Sequence, residues 1–360
     1  MIEANRGCAV IYLAEDSIYS KEDQIDLNFL GQFCQNVASA FNQGWQLIIM
    51  PAGGGAAASK IGPDWRGVGK KQWRRLSFAV GHGVLGRFIY ERLSLLGLRS
   101  ADVLLSRHSF ASREQYFAVR DTLRGLIIDD VIPIIFENEI LCGEELQESE
   151  NELFAAYTGG MLNVDRVIFC TKGAELLQRN GKRQGRREPF DLSVGEAEEC
   201  FLQKPDSLAA CQPGFGASAV RLLAGLGIES NLVTPGSGGR IRDVLEGLGD
   251  FVRIVPDRGG RISGIRKWLC TGAVPRGVIK VSEYGAQRIR DEERRGSLLA
   301  KGIVETRGTF RKGDVVSVVS ETENLLGYGI VKYDSDELYV LKGTEGIVVI
   351  HADYFYGFTL

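Results

Sequence analysis

Short apolar runs alternate with longer segments in which apolar side chains recur every three or four positions, as far as about residue 255. The short runs predict β-strands, and the longer segments predict amphipathic α-helices. The predicted strands cover residues 8–13, 46–50, 131–136, 166–170 and 229–234. The predicted helices cover residues 27–42, 72–97, 112–129 and 217–227. This alternation is typical of an α/β domain built on a mostly parallel sheet.

The pattern changes after residue 275, where short β-rich runs are separated by the turn-like segments 307–314 and 321–327. The glycine- and proline-containing sequence "IVPDRGG" marks the end of the first region. The sequence therefore predicts three parts: an α/β domain over 1–257, a connector over 258–274 and a small β-rich domain over 275–360. The polar, glycine-punctuated segment 178–188 is predicted to be an exposed loop.

Composition restricts the class of protein. The chain has 360 residues, of which 44% are apolar, and this suffices for an ordinary globular core. No apolar run approaches the length of a membrane span, and the first residues lack the features of a secretory signal, so we expect a cytoplasmic protein. Seven scattered cysteines without a C-x-x-C spacing favour reduced thiols, and three isolated histidines give no reason to expect a metal site.

The net charge is only −3, but basic residues are concentrated in one stretch. The segment 261–312 contains thirteen Arg and Lys residues against five Asp and Glu residues. Such a stretch on a small domain is consistent with RNA or another polyanion as partner. It is equally consistent with a solvated surface balanced by the acidic segment 334–337.

Several blocks of sequence resemble one known family in the same order. "PRGVIKVSEYGAQRI", "GSLLAKGIVETRGTFRKGDVVSVVS" and "GYGIVKYDSDEL" resemble the PUA module at the C-terminus of glutamate 5-kinases. "LLSRHSFASREQYFAVRDTL", "VIPIIFENE" and "ESENELFAA" resemble the amino acid kinase domain of the same family. The resemblance implies a three-layer amino acid kinase-like domain with a mostly parallel central sheet, followed by a small PUA-like barrel. It also implies transfer of a phosphoryl group from ATP, with Mg, to L-glutamate, the first step of proline synthesis.

The resemblance fails where the family keeps two phosphate-handling lysines. Aligning "AVIYLAEDS" with the family's first strand places Tyr12 on the first lysine, and puts Glu15 and Asp16 where small residues belong. Counting back from "AVRLLAGLGIE" places Gly216 on the second lysine. Since donors of positive charge in such sites are worth about 10²- to 10³-fold in rate each, we expect little turnover.

Other nucleotide-side positions are partly kept. Gly53 and Gly54 lie in a glycine-rich loop whose backbone N–H groups would approach an anion, although a tight turn is an equally good interpretation. The family's Thr-Asp pair after the fourth strand corresponds here to Thr171 and Lys172. Lys172, or the basic residues near Lys182, would be the source of a displaced catalytic charge.

The amino-acid side keeps more of the family pattern. The resemblance places Glu139 where a carboxylate meets the substrate ammonium group, with Asn138 beside it. It places Asn151 where an amide meets the substrate α-carboxylate. The alternative is that residues 137–139 only cap the end of a strand.

Three functional hypotheses follow. The first is a degenerate glutamate 5-kinase-family protein that retains a binding or regulatory role. The second is an active glutamate 5-kinase with displaced catalytic lysines, and the third is an RNA-associated protein that acts through its PUA-like module. The expected partners are L-glutamate or a similar amino acid, RNA through 261–312, and further copies of the same chain.

Overall fold

The computed structural model describes eleven ranges of the chain: residues 7–19, 24–59, 67–106, 108–141, 151–171, 189–197, 217–234, 241–256, 263–271, 275–290 and 296–357. These residues divide between two compact units. The first unit comprises residues 1–107 and 118–260, and the second comprises 108–117 and 261–360. The segment 108–117 belongs to the second unit although no feature of its sequence pattern marks it.

An eight-stranded sheet forms the centre of the first unit. Its strands are β1 Gly7–Leu13, β2 Trp45–Pro51, β3 Arg99–Leu105, β4 Val131–Glu137, β5 Arg166–Cys170, β6 Phe190–Leu192, β7 Glu229–Val233 and β8 Val252–Ile254. The strand order is β3-β4-β2-β1-β5-β7-β8-β6. All neighbouring pairs are parallel except β7 and β8. The predicted α/β class with a mostly parallel sheet is confirmed.

Helices alternate with these strands along the chain. They are α1 Glu15–Ile18, α2 Leu27–Asn42, α3 Lys70–Leu95, α4 His108–Ala111, α5 Arg113–Ile128, α6 Asn151–Leu162, α7 Ala217–Gly225 and α8 Ile241–Leu245, of which α4 and the start of α5 lie in the second unit. Helix α2 begins where the Asp26 side chain accepts a hydrogen bond from the Phe29 backbone N–H, a common N-cap arrangement. Its apolar face packs into one core cluster with alternate residues of β1, namely Ala9, Ile11 and Leu13.

The opposite face of β1 packs towards α6. Val10 and Tyr12 alternate with the residues that face α2, and both are buried. Helix α6 is buried along most of its length, and a Cβ atom at Gly159 would lie 2.8 Å from the Val167 side chain on β5. This close approach brings the first turn of α6 beside the end of β1.

The second unit is β-rich, as the sequence predicted. It contains α9 Gly264–Thr271, β9 Gly277–Val281, α10 Glu283–Arg290, β10 Leu298–Leu299, β11 Ile303–Arg307, β12 Val315–Val319, β13 Leu325–Ile330, α11 Ser335–Leu341, β14 Val348–Ile350 and β15 Phe355–Gly357. Five strands form a sheet in the order β11-β9-β12-β13-β15, and β10 pairs with β14. Trp268 is buried and donates its indole N–H to the Phe110 carbonyl at 3.0 Å, which ties the segment 108–117 into this unit.

The five strands and four helices predicted from the pattern are confirmed to within a few residues. Strand β3 was not predicted, because it is an edge strand in which exposed and half-buried residues alternate and Arg99 and Asp102 interrupt the apolar pattern. Strands β6 and β8, of three residues each, were also missed. The loop predicted over 178–188 lies outside the described residues.

Candidate active site

The candidate site lies at the carboxyl ends of the central strands. Within the sheet, β2 lies next to β1 on one side, and β5 lies next to β1 on the other side. Such a reversal of strand order opens a crevice at the carboxyl ends of parallel strands, where ligands bind in open α/β sheets. The residues that reach this edge follow β1, β2, β4 and β5, and they include most of the site residues expected from the sequence.

Tyr12 is buried at this edge, near the end of β1, and only 4% of its surface is exposed. It pairs in register with Met50 on one side and Phe169 on the other, and its ring meets that of Phe169 edge-on at 5.9 Å. The phenol oxygen lies 3.5 Å from Glu152 Oε1, at the outer limit of a hydrogen bond. Burial, followed by the charges of nearby carboxylates, raises the Tyr12 pKa well above its ordinary value, so the side chain is neutral.

Four carboxylates act on Tyr12: Glu152 most strongly, then Glu137, Asp16 and Glu15. Glu152, in the first turn of α6, is 94% buried because only 6% of its surface is exposed. Burial, and to a smaller extent the charges of Asp16 and Glu137, raise the pKa of Glu152 to about 7, against hydrogen bonds that lower it. Its second oxygen, Oε2, accepts no hydrogen bond from the described residues.

Asp16 is held by hydroxyl groups. Thr171 Oγ1 donates to Asp16 Oδ2 at 3.0 Å, and Ser17 Oγ lies 3.2 Å from Asp16 Oδ1. Ser17 Oγ also donates to the Cys170 carbonyl at 2.7 Å. Thr171, which the resemblance placed on the nucleotide side, therefore anchors a carboxylate in this structure. Lys172 and Gly216 lie outside the described residues.

The glycine loop after β2 packs tightly against α3. A Cβ atom at Gly81 would lie 2.0 Å from the Gly54 carbonyl oxygen, and one at Gly54 would lie 3.0 Å from the His82 side chain. Gly53 has a φ of +73°, and its carbonyl accepts a hydrogen bond from the Tyr19 hydroxyl at 2.7 Å. Glycine is required here for close packing and for the backbone conformation. This is the role expected if the loop is a tight turn.

The amino-acid side is formed by the turn after β4 and by the start of α6. Arg74 Nε donates to Glu139 Oε2 at 2.8 Å in a half-buried ion pair. Asn138 Oδ1 accepts from the Ile140 backbone N–H at 3.1 Å, and the Asn138 N–H donates to the Leu105 carbonyl at 2.7 Å. Asn138 thus makes contacts of the kind expected if residues 137–139 cap the end of a strand. Glu139 and Asn151 both line a cavity.

The volume of this cavity that the centre of a water molecule can occupy is about 20 Å³. The cavity therefore has room for about one water molecule. Its lining combines aromatic and carboxylate side chains with the glycine loop: Tyr12, Met50, Pro51, Ala52, Gly53, Gly54, Phe78, Ile135, Phe136, Glu137, Glu139, Asn151 and Phe154. Within the described part of the chain, this lining contains two carboxylates and no Lys, Arg or His. Arg74 is paired with Glu139, one of these two carboxylates.

These residues do not fit the triphosphate of ATP. Carboxylates beside phosphate oxygens repel them, and the described lining of the cavity offers two carboxylates and no cation. Across the ranges that the structure describes, no group of three or more His, Cys, Asp or Glu residues is arranged to hold a metal ion. The same ranges contain no helix with the length and apolar character of a membrane span.

Sequence reasoning identified Tyr12, Glu139 and Asn151, which the structure brings to one cavity. It missed Arg74 and the buried state of Glu152. Arg74 lies 65 positions from Glu139 in the sequence, and the residues around it do not mark it as a site residue. Glu152 does carry one, because it is the only charged residue in the apolar helix "NELFAAYTGGML".

Three cations of the basic stretch in the second unit are paired with acidic side chains. Arg307 contacts Glu305 at 2.9 Å and Glu323 at 2.6 Å, Lys280 contacts Glu323 at 2.8 Å, and Lys301 pairs with Glu345. The acidic segment 334–337 has a different role, because Asp334 and Glu337 form a capping box at the start of α11. These contacts favour the solvated-surface interpretation.

Comparison with known proteins agrees with this arrangement. The model of the amino acid kinase family matches residues 15–208, which is more than half of the chain. The chain belongs to the amino acid kinase family. The PUA domain model matches residues 277–352, so this family member carries a C-terminal PUA domain.

Similar proteins extend the match over nearly the whole chain. A glutamate 5-kinase of Methylibium petroleiphilum is 28% identical over 348 residues, covering 94% of this chain and 91% of its own length. A glutamate 5-kinase of Thermotoga maritima is 28% identical over 326 residues, covering 88% and 86%. Among solved structures, a UMP kinase of Bacillus anthracis aligns with a TM-score of 0.45 at 12% identity, covering 70% of this chain and 97% of its own. The similarity to glutamate 5-kinases confirms the family resemblance of the sequence.

Proposed function

We propose that this amino acid kinase family member is a cytoplasmic protein of the glutamate 5-kinase group that binds an amino acid at the Tyr12 cavity. Transfer of a γ-phosphoryl group from ATP is weak or absent. The observation that carries this proposal is Tyr12, a buried and neutral side chain surrounded by carboxylates at the end of β1. The family pattern expects a lysine there.

Phosphoryl transfer depends on positive charge placed beside the moving phosphoryl group. At this site the described side chains around Tyr12 contribute negative charge instead. Replacing a cation by a neutral phenol removes attraction, and the carboxylates of Glu15, Asp16 and Glu137 add repulsion. The site therefore disfavours the nucleotide more strongly than the loss of one lysine would.

The amino-acid side supports ligand binding. Glu139 and Asn151 line the cavity from two different elements. The family resemblance implies contacts of Glu139 with the substrate ammonium group and of Asn151 with the α-carboxylate. Binding through Glu139 requires the ligand to share it with Arg74. Asn138 acts beside them through the turn that it caps.

A coupled assay of ADP release, run with ATP, Mg and L-glutamate, tests the loss of transfer. An intact enzyme of this kind turns over roughly 1 to 10³ times per second. Turnover in that range would establish the active-kinase hypothesis with displaced lysines and overturn the proposal. Calorimetry with glutamate and with ATP on the same preparation tests the order of affinity, and we expect an amino acid to bind more tightly than ATP.

RNA association through the C-terminal unit is a second candidate, favoured by the PUA domain match over 277–352. The paired state of Lys280, Lys301 and Arg307 reduces the free positive charge available for phosphates. A gel-shift titration with single-stranded and hairpin RNA at 50 and 200 mM salt decides this point. Binding that weakens steeply with salt would support the RNA hypothesis.

A further inference from the structure

Helix α3 carries apolar side chains on two opposite faces. One face, which includes Phe78 and Leu85, belongs to the buried core cluster of the first unit. The other face carries Trp73, Val80 and Val84, which are 43%, 36% and 37% exposed. These three positions are spaced by seven and four residues, so they lie on one side of the helix. A helix that is apolar all round is normally covered on every side, yet this second face lies at the surface.

Gly83 lies on the same exposed face of α3. A Cβ atom added there would meet no heavy atom within 4 Å in the described structure. Gly81 and Gly86 differ, because added Cβ atoms would lie 2.0 Å from the Gly54 carbonyl oxygen and 3.2 Å from the Phe136 ring. Since glycine in an exposed helix interior is less stable than alanine, Gly83 destabilises the helix without relieving a contact of this kind. A small residue on a helix face allows a second helix to approach closely.

The residues of the exposed face are arranged symmetrically about Val80. The half-buried Leu76 lies four positions before it, and Val84 lies four positions after it. Trp73 lies seven positions before it, and Arg87 lies seven positions after it. An isologous interface pairs residue i with j and residue j with i across a two-fold axis. Two antiparallel copies of α3 that meet at Val80 would therefore pair Leu76 with Val84, and Trp73 with Arg87, on both sides of the axis.

The outer pair, Trp73 and Arg87, is complementary in charge. The Arg87 side chain is 79% exposed, and its Nε donates to Glu91 at 2.7 Å, four positions further along the helix. A guanidinium group stacks favourably on an indole ring, which is the best of the aromatic partners for a cation. Arg87 of one copy and Trp73 of the other would form this contact at both ends of the apolar centre. The face is thus complementary to itself, which favours a second copy of this chain over an unrelated partner.

The turn after β4 adds apolar surface beside the start of α3. The turn packs against α3, with Glu139 joined to Arg74 at 2.8 Å. It leaves Ile140 42% exposed and Leu141 57% exposed. A stable interface buries about 800 Å² on each partner, which calls for contacts beyond a single row of side chains. The turn provides further surface of the kind that such an interface needs.

We propose that the exposed face of α3 is the interface of a homodimer. The face consists of Trp73, Leu76, Val80, Gly83, Val84 and Arg87. The two helices pack antiparallel at a shallow angle of about 20°, with Val80 on the two-fold axis and Gly83 beside it. A dimer of this kind goes beyond the proposed function and does not depend on it. The interface adjoins the candidate site, because Arg74 follows Trp73 in the helix and pairs with the cavity residue Glu139.

Sedimentation velocity on the full chain at micromolar concentration tests the dimer. We expect the parent protein to sediment as a dimer. Val80→Glu places two carboxylates against each other on the axis, so it should raise the dimer dissociation constant by about 100-fold or more. Val340→Glu makes the same change at a helix position of the second unit that is 79% exposed, and it should leave association unchanged. Circular dichroism verifies the folding of both variants.

Two outcomes would overturn the interface. One is a parent protein that is monomeric at these concentrations, which would leave the α3 face to a different protein. The other is a dimer whose dissociation constant is the same in Val80→Glu and Val340→Glu, which would place the contact on another surface. A parent larger than a dimer supports the α3 interface if Val80→Glu halves its mass, and contradicts it otherwise.

Cysteine crosslinking gives a second measurement in case Val80→Glu does not fold. In Val80→Cys the two thiols face each other across the axis, so mild oxidation should yield a disulfide-linked dimer. Val340→Cys and the parent, which has seven cysteines of its own, are the controls. A crosslinked fraction in Val80→Cys no higher than in either control would contradict the interface.

Discussion

Glu152 and Glu323 are the same residue type in two units of the molecule, and their pKa values shift in opposite directions. Glu152 is buried beside Tyr12, and burial raises its pKa to about 7. Glu323 is exposed at the surface, and hydrogen bonds from Arg307 and Lys280 lower its pKa to about 2. Glu323 is paired with cations of the same surface, whereas Glu152 Oε2 accepts no hydrogen bond from the described residues.

This contrast shows that the count of charges says little about their role. The stretch 261–312 has the larger formal imbalance in the sequence, yet several of its cations are paired. The Tyr12 site involves only a few residues, but Tyr12 and Glu152 are buried, and burial makes the charge of Glu152 more consequential. Substitutions can change the buried site at Tyr12 and the exposed charges of the second unit separately.

The largest effect concerns phosphoryl transfer. We expect turnover at least about 10³-fold below that of an intact glutamate 5-kinase, because two donors of positive charge are replaced by Tyr12 and Gly216. The double change Tyr12→Lys with Gly216→Lys should raise activity by more than the two single changes combined, since the lysines would act on one phosphoryl group. The check is initial rate in a coupled assay, and additive or null effects would argue against the shared site.

The next effect is on stability against pH. Folding raises the Glu152 pKa from 4.5 to about 7, so the folded protein binds the extra proton between these values. The contribution of Glu152 is therefore most favourable below about pH 4.5 and becomes less favourable as the pH rises to 7 and above. Glu152→Gln should raise the free energy of unfolding at pH 8 by at most about 3 kcal/mol. Urea titrations at pH 5 and pH 8 measure this, with Glu114→Gln as control, because Glu114 is an exposed carboxylate outside the cavity.

One outcome of those titrations would contradict the burial of Glu152. If Glu152→Gln and Glu114→Gln had the same pH profile as the parent, the carboxylate would not titrate differently on folding.

A further effect concerns the amide at the cavity. Asn151→Ala should weaken amino acid binding by about 1 to 3 kcal/mol if the amide pairs with the ligand α-carboxylate in a desolvated site. Calorimetry with L-glutamate measures this loss. Unchanged glutamate affinity, together with micromolar ATP binding, would place the ligand elsewhere in the crevice.

The smallest effect is expected at the exposed charges. Glu323→Gln breaks contacts with Arg307 and Lys280, but exposed ion pairs contribute little and are screened by salt. We expect Tm to stay within about 3 °C of the parent, with a smaller difference at 1 M salt. A large and salt-independent loss would mean that this network is part of the folding core of the second unit.

Much of the fold could be predicted from the sequence, because strands such as β1 and helices such as α2 repeat their apolar residues at one clear period. Strand β3 escaped prediction because an edge strand need bury only part of its surface. At the site, Tyr12 could be placed by alignment, whereas the buried state of Glu152 depends on a contact across 140 positions. The Arg74–Glu139 pair likewise joins two elements whose proximity the local pattern does not encode.

The contact between Gly54 and Gly81 has a mechanical consequence. With no space for even one methyl group between them, the glycine loop cannot move towards α3 without displacing the helix. Helix α3 has 26 residues and is therefore roughly 39 Å long. If a ligand shifted the glycine loop towards α3, the helix would move with it as a rigid body. Leu95, at the far end and 80% exposed, is thus a natural position for a fluorescent reporter of what happens beside Tyr12.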